Sequence, residues 1–112
     1  MLKKFICFAV LMVLLMGMVA GCGTKKAETV KIGFIGPLTG GNAAIGIGLK
    51  NSAELAVKQA NESGKYKTKF ELVVADDGGD PSTAVSAANK LIADKGVVAV
   101  FVHFNSGAAL AT

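Results

Sequence analysis

A doubly wound α/β fold with a parallel sheet is what this 112-residue sequence predicts, and three observations predict it. Three apolar runs, VKIGFIG from Val30, FELVVA from Phe70 and VVAVFV from Val97, have the composition of strands covered on both faces by helices. Between them lie two stretches with apolar residues at helical spacing, each long enough for about four turns. Glycine-rich or polar segments follow all three runs. The order β-α-β-α-β implies right-handed crossovers, and the common arrangement 2-1-3 sets the first strand between the other two. Ligands of such sheets gather at the C-terminal strand ends, where the chain leaves strands one and three in opposite directions.

The start of the chain does not belong to this domain. Met1 to Lys4 is a short basic segment, and Phe5 to Met18 is an apolar stretch too short for a comfortable membrane anchor, the pattern of an export signal. Val19-Ala20-Gly21-Cys22 puts small residues before a cysteine and resembles the bacterial lipoprotein signal, which implies a lipid on Cys22. The expected division is a signal over 1–21, lipidated cysteine and polar tether over 22–29, and a folded region over 30–112. Cys7 falls in the discarded segment, so no disulfide braces the exported part.

Removing Lys3 and Lys4 with the signal lowers the formal charge from +4 to +2. The chain has no arginine, and its lysines are interspersed with acids, so the basic stripe of a nucleic-acid surface is missing and no nucleic-acid partner is expected.

Within the folded region, the loop after strand one is expected to run from Gly36 to Gly48, and the first helix from Leu49 to Glu62. Leu49, Ala53, Ala56, Val57 and Ala60 form its inner face, Glu54 and Lys58 pair across one turn, and Ser63-Gly64 ends it. Asp80-Pro81 marks the next helix start, because the aspartate can cap free amides and proline at the first position loses no helical bond. Its expected inner face is Ala84, Val85, Ala88, Leu91 and Ile92, and Lys95-Gly96 stops it. His103 to Asn105 forms a turn, and Ser106 opens a last helix.

Phosphate signatures fail in the first loop. From Gly41 the P-loop spacing reaches Gly46 but then meets Ile47 and Gly48 where lysine and a hydroxyl are needed. The dinucleotide pattern from Gly46, GIGLKN, lacks its third glycine. Asp76, Asp77 and Asp80 do not have calcium-loop spacing, with Asp80 already explained as a cap, so neither metal nor catalytic chemistry is expected there. His103, the sole histidine, is expected to be a structural residue at a strand end. Ser106 resembles a helix N-cap whose hydroxyl, with the amides of Gly107 and Ala108, could face a carboxylate; a cap serving only its own helix is the other reading. The serine lacks the G-x-S-x-G frame of a nucleophile, and no enzyme activity or cofactor is expected.

Taken together, IGFIGPLTGGNAAIG from Ile32, KNSAELAV from Lys50, ELVVADDGGDPSTAVSAANKLI from Glu71 and VHFNS from Val102 resemble the start of the substrate-binding proteins of branched-chain amino-acid ABC transporters. The resemblance implies an incomplete first lobe of a two-lobed protein that binds leucine, isoleucine, valine or a related ligand in a cleft. It implies delivery to ABC permease subunits, attachment to the membrane outer face through the lipid, and a monomer when complete. By position, Ser106 matches the serine that holds the ligand α-carboxylate, with Gly107 beside it, and Ile45 matches a first-loop residue touching the ligand side chain. Some members carry a disulfide where this sequence has Gly79 and Asn105. An extracellular sensory domain is the alternative with the same fold. A chain of this extent is expected to hold only part of lobe one, to bind weakly or not at all, and to be prone to aggregation.

Overall fold

The computed structural model describes residues 28–112. The signal 1–21, Cys22 and most of the tether lie outside the described residues. The elements are β1 (Thr29–Gly36), α1 (Ala43–Glu62), β2 (Lys69–Asp76), α2 (Pro81–Ala93), β3 (Val97–Val102) and α3 (Ser106–Ala111). All three strands are parallel, as the alternation of runs and helices implies, and they take the common order β2-β1-β3. β1 pairs with β2 without a break from Thr29↔Lys69 to Gly36↔Asp76. Its pairing with β3 shifts by a residue between Lys31 and Ile32, leaving Val98 as the extra residue of a bulge.

A small core joins sheet to helices. Ile35 in β1 and Leu91 in α2 are each 2% exposed and meet over Ala87, with Val73, Ala75, Ala88 and Val100 packed around them. The inner face of α2 is Ala84, Ala87 and Leu91. Ala84, Ala88 and Leu91 match the expected face, but Val85 and Ile92 do not: Ile92 is 74% exposed. The stripe is therefore narrower than the run of apolar residues in the helix.

The start of α2 follows its sequence signal. Asp80 has extended backbone, its carboxylate accepts from the Thr83 amide at 2.8 Å, and Pro81 occupies the first helical turn. At the N-terminal end of the sheet, the Lys31 ammonium lies 2.7 Å from Asp94 and ties β1 to the chain leaving α2. This hydrogen bond holds the lysine above its ordinary value and the aspartate below its own.

Helix α1 begins six residues earlier than its apolar spacing suggests, at Ala43 instead of Leu49. Gly46 and Gly48 hide this start, since each glycine weakens a helix by about 1 kcal/mol relative to alanine. Packing explains Gly46: a Cβ there would fall inside contact distance of the Pro37 carbonyl oxygen, so only glycine lets the helix cross the chain leaving β1. The face turned inward contains Gly46, Ala53, Val57, Ala60 and Asn61, while Leu49 and Ala56 are exposed. Asn61 uses its amide as a strand would: it donates to the Phe70 carbonyl and accepts from the Phe70 amide, both at 2.8 Å, at the outer edge of β2. Lys50 pairs with Glu54 at 2.9 Å and Lys58 with Glu62 at 4.0 Å, instead of the expected Glu54–Lys58 pair. Gly64, with φ of 67°, ends the helix as expected.

Candidate functional site

Three loops meet at the C-terminal end of the sheet, after β1, β2 and β3. The middle one organises the other two. Asp76 closes β2, and its carboxylate reaches the loop after β1, accepting from the Leu38 amide at 2.7 Å, the Thr39 amide at 3.3 Å and the Thr39 hydroxyl at 2.7 Å. It also accepts from the Gly78 amide at 2.8 Å. Partial burial pushes this carboxyl up, but the Thr39 hydroxyl and the amides of Gly78, Leu38 and Thr39 together outweigh it and hold the group below the ordinary carboxylate value.

Asp77 points the other way, as alternation along a strand requires. One oxygen accepts from the Gly79 amide at 2.8 Å, and the other lies 2.9 Å from His103 Nδ1. Both side chains are fully buried. On the far side of the ring, His103 Nε2 lies 2.9 Å from the Thr112 hydroxyl, which is also 3.2 Å from the Ala108 carbonyl. His103 has φ of 41°, the one described non-glycine residue in the left-handed region, and its amide extends the β1 pairing by donating to the Ile35 carbonyl. The sole histidine is thus structural, as expected, with a partner that sequence reasoning did not name.

The expected site residues come to this same end. Ile45 lies in the first turn of α1 rather than in a loop, and its side chain is half-exposed. Ser106 and Gly107 are exposed in the first turn of α3, beyond the end of β3, the strand adjacent to β1. Ser106 is not the cap itself. That position belongs to Asn105, whose side chain makes no capping bond among the described residues. Ala108 is completely buried, so its amide does not face open space with those of Ser106 and Gly107. Gly107 lies against the Pro81 ring, at 3.7 Å from an ideal Cβ, so the starts of α2 and α3 pack together.

Gly79 and Asn105 are neighbours: a Cβ on Gly79 would sit 3.6 Å from the Asn105 amide carbon. Gly79 has φ of 75°, which favours glycine over any side chain. The Asn105 Oδ1 atom is shielded and unpartnered among the described residues.

An apolar concavity of about 210 Å³ opens beside this end, lined by Phe34, Ile35, Leu49 and Phe101 to Phe104. Neither Ile45 nor Ser106 lines it. The residues that sequence reasoning missed are Thr39, Asp76, Asp77 and Thr112. A signal for the two aspartates was present: in Asp76-Asp77-Gly78-Gly79 each acid precedes, by two residues, a glycine able to take positive φ, the arrangement of an Asx turn.

Comparison with known proteins agrees with this architecture. The profile described as "Periplasmic binding protein" matches residues 29–112. Leu/Ile/Val-binding protein homolog 2 of Brucella abortus (strain 2308) is 42% identical over 101 residues, covering 89% of this chain and 27% of that protein. Leu/Ile/Val-binding protein BraC3 of Rhizobium johnstonii is 44% identical over 82 residues, covering 72% of this chain and 22% of that protein. The branched-chain amino acid transporter substrate binding protein LivJ from Streptococcus pneumoniae, solved in complex with isoleucine, superposes with a TM-score of 0.70 at 33% identity, over 75% of this chain and 24% of that one. The chain spans about a quarter of the length of these relatives. Three parallel strands in the order β2-β1-β3, loops converging at their C-terminal ends, and a match across nearly every described residue place the chain in the periplasmic binding protein family, whose members are non-enzymatic ligand-binding proteins.

Proposed function

We propose that this chain forms part of an extracytoplasmic receptor, anchored through lipid on Cys22, that captures a branched-chain or related small amino acid and presents it to ABC permease subunits. The observation that carries the reading is that Ser106, Gly107 and Ile45 lie at one end of the sheet, beyond the adjacent strands β3 and β1. The exposed Ser106 hydroxyl and the neighbouring Gly107 amide suit a carboxylate, which accepts hydrogen bonds and cannot donate them once ionised. Ile45 offers a half-exposed aliphatic surface suited to a hydrocarbon side chain. The relatives named for leucine, isoleucine and valine binding, and the neighbour solved with isoleucine, support that ligand class.

The test is a titration of the 15N-labelled chain with isoleucine up to millimolar concentration. Shifts concentrated at the amides of Ile45, Ser106 and Gly107, and lost in Ser106→Ala, are expected; shifts elsewhere, or none, would refute the site. Incorporation of a labelled fatty acid that disappears in Cys22→Ser is the expected result for the anchor.

A further inference from the structure

We propose that His103, held between Asp77 and Thr112, is a positioning residue for the turn that carries Ser106 and Gly107. The inference rests on the ligand reading above for its consequence, while the strap itself can be measured without ligand. A carboxylate only accepts, so the 2.9 Å contact with Asp77 puts the histidine proton on Nδ1. In the neutral ring Nε2 is then an acceptor, and the single Thr112 hydroxyl proton goes to it at 2.9 Å in place of the Ala108 carbonyl 3.2 Å away. The ring therefore links the end of β2 to the far end of α3.

Helix α3 needs such a tie. Its N-cap side chain makes no capping bond among the described residues. Its orientation is set by the packing of Gly107 on Pro81, by the buried Ala108 and by the strap one turn further along. The left-handed backbone of His103 fits the same role. A non-glycine residue stays there only where its surroundings hold it, and here the His103 amide is bonded to Ile35 and its ring to Asp77. The direction in which Ser106 and Gly107 face is in this way set from β2 by a residue that would itself touch no ligand.

The test uses the full 112-residue chain, kept in solution with mild detergent and without ligand. In the wild type, the ring 15N shifts should show Nδ1 protonated and Nε2 as a hydrogen-bond acceptor. Thr112→Val should speed amide exchange at Ala108 and Ala109 by about fivefold, the loss of one ordinary side-chain hydrogen bond, with Leu38 and Thr39 unchanged. Thr112→Ser should restore the wild-type rates, which a loss of packing alone would not do. An Nε2-protonated or averaging ring overturns the proposal, as does a Thr112→Val effect that is absent or spread evenly over the sheet. If Thr112→Val does not fold, the wild-type tautomer and the Thr112→Ser exchange rates decide. A correct strap with no isoleucine-dependent shifts would refute the ligand reading alone.

Discussion

Asp76 and Asp77 are neighbours at the end of one strand, yet they fasten different loops in different surroundings. Asp76 is only partly buried and gathers Leu38, Thr39 and Gly78 around an accessible carboxylate. Asp77 is fully buried and holds one ring, which in turn reaches Thr112. The first loop is held by several bonds that water can replace, the third by a buried Asp77–His103 bond that it cannot, with an exposed bond to Thr112 beyond it. In physical terms, losing an exposed acceptor costs little because its donors turn to solvent, whereas losing a buried one strands its partner.

The largest expected effect follows from the buried member. Asp77→Ala should lower unfolding stability by about 3 kcal/mol, since it leaves the His103 ring nitrogen and the Gly79 amide without their acceptor. Denaturant titration measures this, and a loss below about 1 kcal/mol would erase the contrast.

Asp76→Ala should cost less, about 1 kcal/mol, because its partners are screened and rehydrated. Its pH dependence has a definite sign. The folded group lies below the ordinary value of 3.8, so its contribution is fully present above that pH and is lost as pH falls through the lower folded value. In the wild type the Leu38 and Thr39 amides should therefore lose protection below pH 3.8, and a loss beginning near neutrality would contradict the assignment.

The smallest effect is expected at Asn105. Its side chain makes no capping bond and shields an acceptor that has no partner among the described residues, so removing it strands nothing. Asn105→Ala should shift stability by less than about 0.5 kcal/mol, where the loss of a working cap would cost about 1 kcal/mol. Thermal denaturation distinguishes the two.

Much of the fold was legible because its signals are local. Apolar runs marked the strands, Asp80-Pro81 marked the start of α2, and the alternation of strand and helix implied parallel pairing, for which the common order is the observed one. The missed start of α1 depended on a contact instead: Gly46 reads as a loop residue until Pro37 is seen against it. Ile92 and Val85 misled because an apolar residue in a helix need not face the sheet, and in this chain the β3 flank leaves Phe101 at 61% and Leu110 at 90% exposed. Such a flank is where the expected tendency to associate would arise.

Ile45, Ser106 and Gly107 were named by resemblance and come to one end of the sheet, but the side chains that support that end were not legible. Thr39 and Asp76 are 37 residues apart, and Asp77 and His103 are 26 apart. No spacing rule links residues so far apart; only the sheet order brings them together. Ser106 was assigned the cap because serine favours that position, but the helix has Asn105 there.

The most direct test of this account is residue-resolved amide exchange in Asp76→Asn and Asp77→Asn, which keep side-chain volume while weakening each anchor. The account predicts that Asp76→Asn speeds exchange at Leu38, Thr39 and Gly78 and leaves Ala108 and Ala109 alone, and that Asp77→Asn speeds exchange at Gly79, Ala108 and Ala109 and leaves Leu38 and Thr39 alone. Equal loosening of both loops by either substitution would contradict it.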